Sequence, residues 1–281
     1  MTRLIVVITF AMLAFAGNSL LCRIALRDTT IDAATFTSIR LVSGALILAL
    51  ILRAKGARPM AAGSWRAAFC LFAYAAAFSF AYRQLTAATG ALLLFGAVQT
   101  AMLSWGLASG ERLRTLQIAG LLIAVGGLVY MLLPGLSAPP LEGAAFMIAA
   151  GACWAGYSLL GRGTKDATAA TAGNFLRAVP FAAALSLAMA TGMNTATAVD
   201  QTGALYAIVS GAITSGLGYV LWYAALPSLT AASAAVIQLS VPAIAALGGV
   251  VLLAEPLSSR LVIASVTILG GIALTILRPR T

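Results

Sequence analysis

Histidine is absent from the 281 residues of this chain, and charged residues of all kinds make up only 9% of it. The absence of histidine excludes histidine-based metal sites, histidine general bases and Ser–His catalysis. Soluble domains have about a quarter charged residues, so the polar surface that a soluble domain needs is missing here. Cysteine is also scarce. The three cysteines have no metal-site spacing, and we interpret them as small buried hydrophobic residues: Cys22, Cys70 and Cys153.

Acidic residues are few, and none falls in the middle of an apolar segment. The seven lie in predicted loops or at helix ends: Asp28, Asp32, Glu111, Glu142, Asp166, Asp200 and Glu255. This placement argues against proton-coupled export of cationic drugs through a carboxylate within the membrane. Apolar segments also lack paired aspartates and metal ligands, which argues against an intramembrane protease or lipid phosphotransferase. No G-x-x-x-x-G-K-[ST] motif is present, so ATP hydrolysis by this chain does not power transport.

Apolar residues are abundant, at 62% of the chain with a mean hydropathy of +1.02. A helix needs about 20 apolar residues to cross a bilayer core. Ten segments approach this length: 4–26, 33–52, 66–82, 85–108, 115–133, 141–161, 170–191, 203–225, 229–253 and 259–277. The sequence therefore predicts an all-α polytopic membrane protein with ten transmembrane helices. Arg3, the apolar run after it and Ala14-Phe15-Ala16 also resemble a signal peptide with its cleavage site, but the apolar run continues to Cys22, and we interpret it as a retained first helix.

The 17 basic residues give a net charge of +10, yet they lie at the ends of apolar segments rather than in one patch. We therefore expect no nucleic-acid binding. With ten helices and a cytoplasmic N-terminus, eleven basic residues fall on the cytoplasmic side: Arg3, Arg53, Lys55, Arg58, Arg66, Arg112, Arg114, Arg162, Lys165, Arg278 and Arg280. Four fall on the opposite side: Arg23, Arg27, Arg83 and Arg260. This imbalance predicts that both termini are cytoplasmic.

An internal repeat divides the chain near its middle. The matches are Ala16–Arg23 with Ala155–Arg162, Leu85–Ala88 with Leu229–Ala232, Glu111 with Glu255, and Gly126-Gly127 with Gly270-Gly271. The Arg, Glu and Gly-Gly matches carry the most weight, because Ala- and Leu-rich sequences match by chance. The repeat unit has five helices, an odd number. Residues 1–135 and 136–281 are therefore predicted to insert in opposite directions, as in many secondary transporters with a midplane substrate site.

The Gly-Glu-x-Leu turn at 110–113, the duplicated pattern and Ser240-Val241-Pro242…Glu255-Pro256-Leu257 resemble the EamA-type ten-helix carriers of the drug/metabolite transporter superfamily. Within that group the chain is similar to bacterial (aromatic) amino-acid exporters of the YddG kind. The resemblance implies a monomeric inner-membrane carrier that exports amino acids or related small metabolites. It also implies a central cavity surrounded by helices 1–4 and 6–9. The alternative within transport is a drug/xenobiotic or nucleotide-sugar carrier; a sensor or scaffold is a further alternative.

Aromatic and amide residues within the apolar segments are candidates for substrate binding. Tyr and Trp combine an apolar ring with a polar group, and uncharged amides can bind an amino acid without the desolvation cost of a charge. The candidates are Trp154, Tyr157, Tyr74, Phe78, Tyr82, Gln99, Trp222, Gln238, Asn18 and Arg40. The structural alternatives are an interfacial aromatic belt, which suits Tyr82 and Tyr223 best, and amides that join helices. No metal or cofactor is expected.

Arg40 and Arg177 occupy similar places in the two halves, each about two turns inside a helix. The functional interpretation is that one of them meets a substrate carboxylate. The structural interpretation is that both extend to the interface or bond helix ends. Pro242 is expected to kink the ninth segment, which would either shape the cavity or provide a hinge.

Overall fold

The computed structural model describes residues 2–110, 115–135, 138–161, 164, 166–192, 200–225, 228–229 and 237–276. Every regular element in these ranges is a helix. Numbered α1 to α10 in chain order, the helices are Thr2–Asp28, Ala33–Ala54, Trp65–Tyr82, Ala87–Ala108, Thr115–Leu132, Leu141–Leu160, Ala167–Gly192, Gln201–Ala225, Ser240–Leu253 and Ser259–Ile276. Seven of them, α1, α2 and α4 to α8, are long and apolar enough to cross a membrane. This is the architecture of a polytopic α-helical membrane protein.

Several positions used in the sequence analysis lie outside the described residues. They are Glu111, Arg112, Leu113, Arg114, Arg162, Lys165, Thr230, Ala231, Ala232, Arg278 and Arg280. The third and fourth apolar segments, which only Arg83 and Gln84 separate in the sequence, form two distinct helices, because α3 ends at Tyr82 and α4 begins at Ala87.

Polar side chains before several helices explain where those helices begin. The Asp32 carboxylate accepts hydrogen bonds from the backbone N–H groups of Ala34 and Thr35, both at 2.9 Å, at the start of α2. Ser64 caps α3 and Asp200 caps α8 in the same way. Such caps satisfy the N–H groups that have no partner within the helix.

The eighth helix is not a regular α-helix. Residues Ser210–Leu217, which read Ser-Gly-Ala-Ile-Thr-Ser-Gly-Leu, form a π-helical segment between two α-helical parts. Gly211 allows this segment to approach α2, because a Cβ at that position would overlap the carbonyl oxygen of Arg40. Close approach of this kind is typical of small residues at helix contacts within membranes.

The ninth helix is interrupted near Pro242. Residues 237 and 238 are helical, Leu239 forms a turn, and α9 begins at Ser240. A proline removes one helical hydrogen bond and displaces the carbonyl four residues earlier, here that of Gln238. The break therefore lies where the sequence predicted a kink, and it is next to a candidate site residue.

Helix packing brings the two halves of the chain together along their whole length. The pairs α5–α10 and α2–α7 join one helix from each half, and so do α3–α6, α4–α6, α1–α8 and α1–α9. Large apolar side chains remain exposed on the outside, notably Leu122, Val129, Leu247, Val251 and Val266. An exposed apolar surface of this extent is suited to lipid rather than to water.

Candidate functional site

A small cavity lies between the two halves, near the middle of the helices that surround it. Its lining residues come from α1, α3, α4, α6, α8 and the helical turn before α9: Phe15, Asn18, Ser19, Tyr74, Phe78, Leu94, Phe95, Trp154, Thr214, Ser215, Tyr219 and Gln238. The free volume is about 30 Å³, which has room for about two water molecules. An organic solute the size of an amino acid therefore needs the helices to move apart.

Aromatic rings form most of the cavity wall. The ring of Trp154 lies 4.8 Å from that of Tyr74 and 5.2 Å from that of Tyr219, measured between centroids. Phe15 contacts Tyr219 edge to face at 5.9 Å, and Phe78 contacts Tyr74 at 5.4 Å. These rings come from α1, α3, α6 and α8, so movement of any of these helices changes the shape of the cavity.

A hydrogen-bonded group of polar side chains forms the other part of the wall. The side-chain carbonyl of Asn18 accepts hydrogen bonds from the hydroxyls of Ser210, at 2.7 Å, and Thr214, at 3.3 Å. Its amide donates to the Tyr74 hydroxyl at 3.5 Å. All four residues are buried. Asn18 thus joins α1 to α3 and to the π-helical segment of α8.

Arg40 lies directly behind this polar part of the wall. It is 2% exposed, its Nε donates to the Ser215 hydroxyl at 3.2 Å, and one Nη donates to the Tyr74 hydroxyl at 3.3 Å. The guanidinium carbon also lies 5.3 Å from the Tyr74 ring centroid and 5.0 Å from that of Phe78. The cation therefore contacts three residues that line the cavity.

Arg177 has a different environment, although the sequence placed it like Arg40. It is half-buried and donates to three backbone carbonyls, those of Ala62, Gly173 and Met60, at 2.7, 3.1 and 3.3 Å. The nearby Asn174 accepts a hydrogen bond from the backbone N–H of Ser64. Both side chains hold the connection between α2 and α3. The contacts of Arg177 therefore agree with the structural interpretation, in which this residue bonds to backbone groups and not to a substrate.

An ion pair closes one end of the bundle. Arg23 Nε donates to Glu255 Oε1 at 3.0 Å, and an Nη of Arg23 donates to the carbonyl of Tyr82 at 3.0 Å. The other oxygen of Glu255 accepts from the backbone N–H of Ala87 at 2.8 Å. These contacts join α1, α3, α4 and the α9–α10 connection. Arg23 lies four residues after the lining residue Ser19, so this closed end is about 6 Å from the cavity.

Comparison with known proteins places this arrangement in a family. Residues 141–277 match the model of the EamA-like transporter family. The chain is 57% identical to a protein of Pseudomonas aeruginosa, "Uncharacterized protein PA1977", over 280 residues, which is 99% of this chain and 96% of that protein. Residues 141–277 form an EamA-like transporter domain. Members of this family are membrane transporters of small molecules, and with its apolar helices the chain is a multi-pass membrane protein.

The fold is also shared with a solved structure, described only as "Crystal structure of protein". It is 20% identical in sequence, with a TM-score of 0.66 over 97% of both chains. This similarity extends through both halves of the chain, beyond the residues that match the EamA-like family model.

Five of the ten candidate site residues of this EamA-like protein line the cavity: Asn18, Tyr74, Phe78, Trp154 and Gln238. Four others contact lining residues from behind. They are Arg40, Tyr82 against Phe78, Tyr157 against Trp154, and Trp222 against Phe15. Gln99 is half-buried on α4, one turn beyond Phe95, and is not part of the lining. Tyr82 is completely buried, so it does not belong to an interfacial aromatic belt.

Several lining residues were not identified from the sequence. Thr214 and Ser215 belong to the π-helical segment, and Ser19, Phe15, Leu94 and Phe95 complete the wall. Tyr219 also lines the cavity and was not among the candidates. One signal was present for Thr214 and Ser215, because the run from Ser210 to Gly218 is rich in small and hydroxyl residues beside three aromatic residues.

Proposed function

We propose that this protein is a secondary transporter with ten transmembrane helices in two inverted repeats, residues 1–135 and 136–281. It exports amino acids or related small metabolites across the bacterial inner membrane by alternating access. Both termini are cytoplasmic, and the protein works as a monomer. No carboxylate within the membrane couples transport to protons. The single observation that carries this proposal is the small cavity between the two halves, at mid-height in the bundle.

The packing of the helices supports the inverted repeat. If α1 to α5 correspond to α6 to α10, then exchanging the halves should turn the most extensive helix contacts between the halves into one another. The contact α4–α6 becomes α9–α1, α3–α6 becomes α8–α1, and α3–α7 becomes α8–α2, and all six are present. The pairs α2–α7 and α5–α10 map onto themselves. A pseudo-twofold arrangement has these properties.

The chemistry of the wall favours an amino acid as the substrate. Rings of Trp154, Tyr74 and Tyr219 suit an apolar side chain, while Asn18 and Gln238 supply amide donors and acceptors. The cavity lining, within the described residues, contains no carboxylate that would attract a cationic drug. It also contains no pair of lysines that would bind a nucleotide diphosphate.

Uptake into liposomes that contain the purified full-length protein tests this proposal. A panel of labelled amino acids, aromatic ones included, is offered with and without a proton gradient, and empty liposomes are the control. We expect saturable uptake of one or more amino acids without a gradient. If no amino acid is taken up, while a drug or a nucleotide sugar is, the amino-acid proposal is wrong and the alternative carrier class replaces it.

A further inference from the structure

The guanidinium group of Arg40 is a buried cation without a counter-charge. Six of the seven acidic residues, all but Glu111, are among the described residues, and none of these six forms an ion pair with Arg40. One of its nitrogens, Nη1, is buried and has no hydrogen-bond partner among the residues that the structure describes. Burying an unpaired charge is costly, so such a group usually has a partner in some functional state.

The neighbours of Arg40 are neutral, and three of them also face the cavity. Tyr74 and Ser215 each accept one hydrogen bond from it, and Phe78 contributes its ring face. These three residues line the cavity in which a solute would be held. An anionic group placed against this part of the wall would lie close to the cation, within a medium of low dielectric constant where their attraction is strong.

Arg177 provides an internal comparison. It lies at the corresponding place in the second half, but its guanidinium donates to two backbone carbonyls of the α2–α3 connection, those of Met60 and Ala62, and to the carbonyl of Gly173 on its own helix. The Arg177 side chain therefore has partners in the present structure, and none of these carbonyls belongs to a residue that lines the cavity. The two arginines therefore have different roles. Of the two, only Arg40 has a buried nitrogen without a hydrogen-bond partner among the described residues, and this nitrogen lies behind the cavity wall.

We infer that Arg40 binds the carboxylate of the transported solute, so that the protein selects small, partly apolar molecules with a free carboxylate over the matching amides and amines. This inference rests on the proposed transport function and specifies its substrate class. Binding would give the buried cation the counter-charge that the described residues do not supply. Tyr74 and Ser215 would assist as hydroxyl donors to the same carboxylate.

Thermal unfolding of the purified full-length protein in detergent tests the inference without requiring transport. The ligands are 3-phenylpropanoate, 3-phenylpropanamide and 3-phenylpropylamine, which share one apolar body and differ in the polar group. We expect the carboxylate to raise the midpoint temperature with an apparent affinity at least about tenfold higher than that of the amide or amine, because hydrogen bonds to charged groups contribute that much or more.

Variants then identify the residue responsible. Arg40→Gln should remove the preference for the carboxylate, and Arg40→Lys should keep part of it, because one ammonium retains the charge but not the two-point contact. Arg177→Gln is the matched control and should keep the full preference, whatever it does to stability. The inference is wrong if the amide or amine stabilises the wild type as well as the carboxylate does, if no ligand shifts the midpoint, or if Arg40→Gln keeps the preference.

The same series in liposomes separates this inference from the proposed function. If phenylalanine is taken up, and phenylalaninamide competes with it equally well, then amino-acid transport stands and the role of Arg40 is wrong. If no amino acid is taken up, but carboxylates stabilise the wild type and not Arg40→Gln, then the site stands and the amino-acid proposal is wrong. The wild-type ligand series decides the question even if an Arg40 variant fails to fold.

Discussion

The indole ring of Trp154 lies at the centre of the aromatic wall, in contact with Tyr74, Tyr157 and Tyr219. It is only half-buried, so part of the ring faces the cavity. We expect Trp154→Ala to lower the uptake rate at low substrate concentration about tenfold, because burial of an aromatic side chain contributes about 1.5–3 kcal/mol. Expression should be nearly normal, since the substitution enlarges an existing cavity. Labelled-substrate uptake and a size-exclusion profile measure the two effects.

Trp105 provides the control for that experiment. It is a tryptophan on α4 with 59% of its surface exposed, and it is not part of the cavity lining. Trp105→Ala should leave uptake unchanged. Unaltered transport by Trp154→Ala would remove Trp154 from the binding site.

Residue identity alone did not separate Arg40 from Arg177, and the reason is physical. Both are arginines about two turns inside a helix, and the pattern of apolar residues around them is similar. Their roles depend on what other helices bring to them. For Arg40 these are Tyr74 of α3 and Ser215 of α8, and for Arg177 they are carbonyls of the α2–α3 connection. Tertiary contacts of this kind are not encoded in local periodicity.

At the scale of helices, the long apolar runs predicted most of the architecture, because a bilayer imposes a length and hydrophobicity that can be counted. The π-helical segment of α8 was not predicted. Its small and hydroxyl residues are equally compatible with a regular helix, where Ser and Thr bond to their own backbone. The π-helical segment places Thr214 and Ser215 in the cavity wall. Its omission from the prediction therefore affected the site more than the fold.

Two Gly-Gly pairs occupy matching places in α5 and α10, and each pair presents one glycine to the partner helix. A Cβ at Gly271 would lie 2.6 Å from the backbone nitrogen of Ala124, and one at Gly127 would lie 2.8 Å from Ile268. A Cβ at Gly126 or Gly270 would meet nothing within 4 Å. In both pairs, therefore, the second glycine packs against the partner helix.

We expect Gly271→Ala to destabilise the protein by about 1–3 kcal/mol, because α10 must move away from the backbone of α5. Gly270→Ala adds the same methyl group to open space, so it should be neutral or slightly stabilising, by up to about 1 kcal/mol of helix propensity. Thermal unfolding in detergent measures both variants. Equal loss of stability in the two would show that close packing of α10 against α5 at Gly271 does not contribute to folding.

At the scale of the whole molecule, the proposed inverted repeat of five helices would fix the sides on which loops appear. Ten crossings place both termini on one side, and the connection at Gly56 on the same side, while that at Gln84 lies opposite. A reporter that fluoresces only in the cytoplasm, fused to either end, should therefore be active at both. Cysteines at positions 56 and 84 should react with an impermeant maleimide from opposite faces. Termini on different sides would exclude ten crossings.

Alternating access further requires that contacts at one end of the bundle break when the cavity opens there. Of the two ion pairs that the described residues form, that of Arg23 with Glu255 is the less exposed, at 12% and 6% of the two side chains. Glu255→Gln removes the charge but keeps an amide in its place. We expect it to shift the population of conformations toward those open at this end, because a hydrogen bond between charged groups contributes about 1.5–3 kcal/mol.

The measurement is the labelling rate of a cysteine at Ser19, which lines the cavity one turn from Arg23, in a background without the native cysteines. An impermeant maleimide added from the face that carries Glu255 should react about tenfold faster in Glu255→Gln than in its parent. Asp28→Asn is the matched control. It removes the charge that pairs with Arg27 at the same end, but that pair is exposed at 31% and 41% and contributes little, and Arg27 also donates to the carbonyl of Leu253. If both variants label alike, the Arg23–Glu255 pair holds the connection between helices together without controlling access to the cavity.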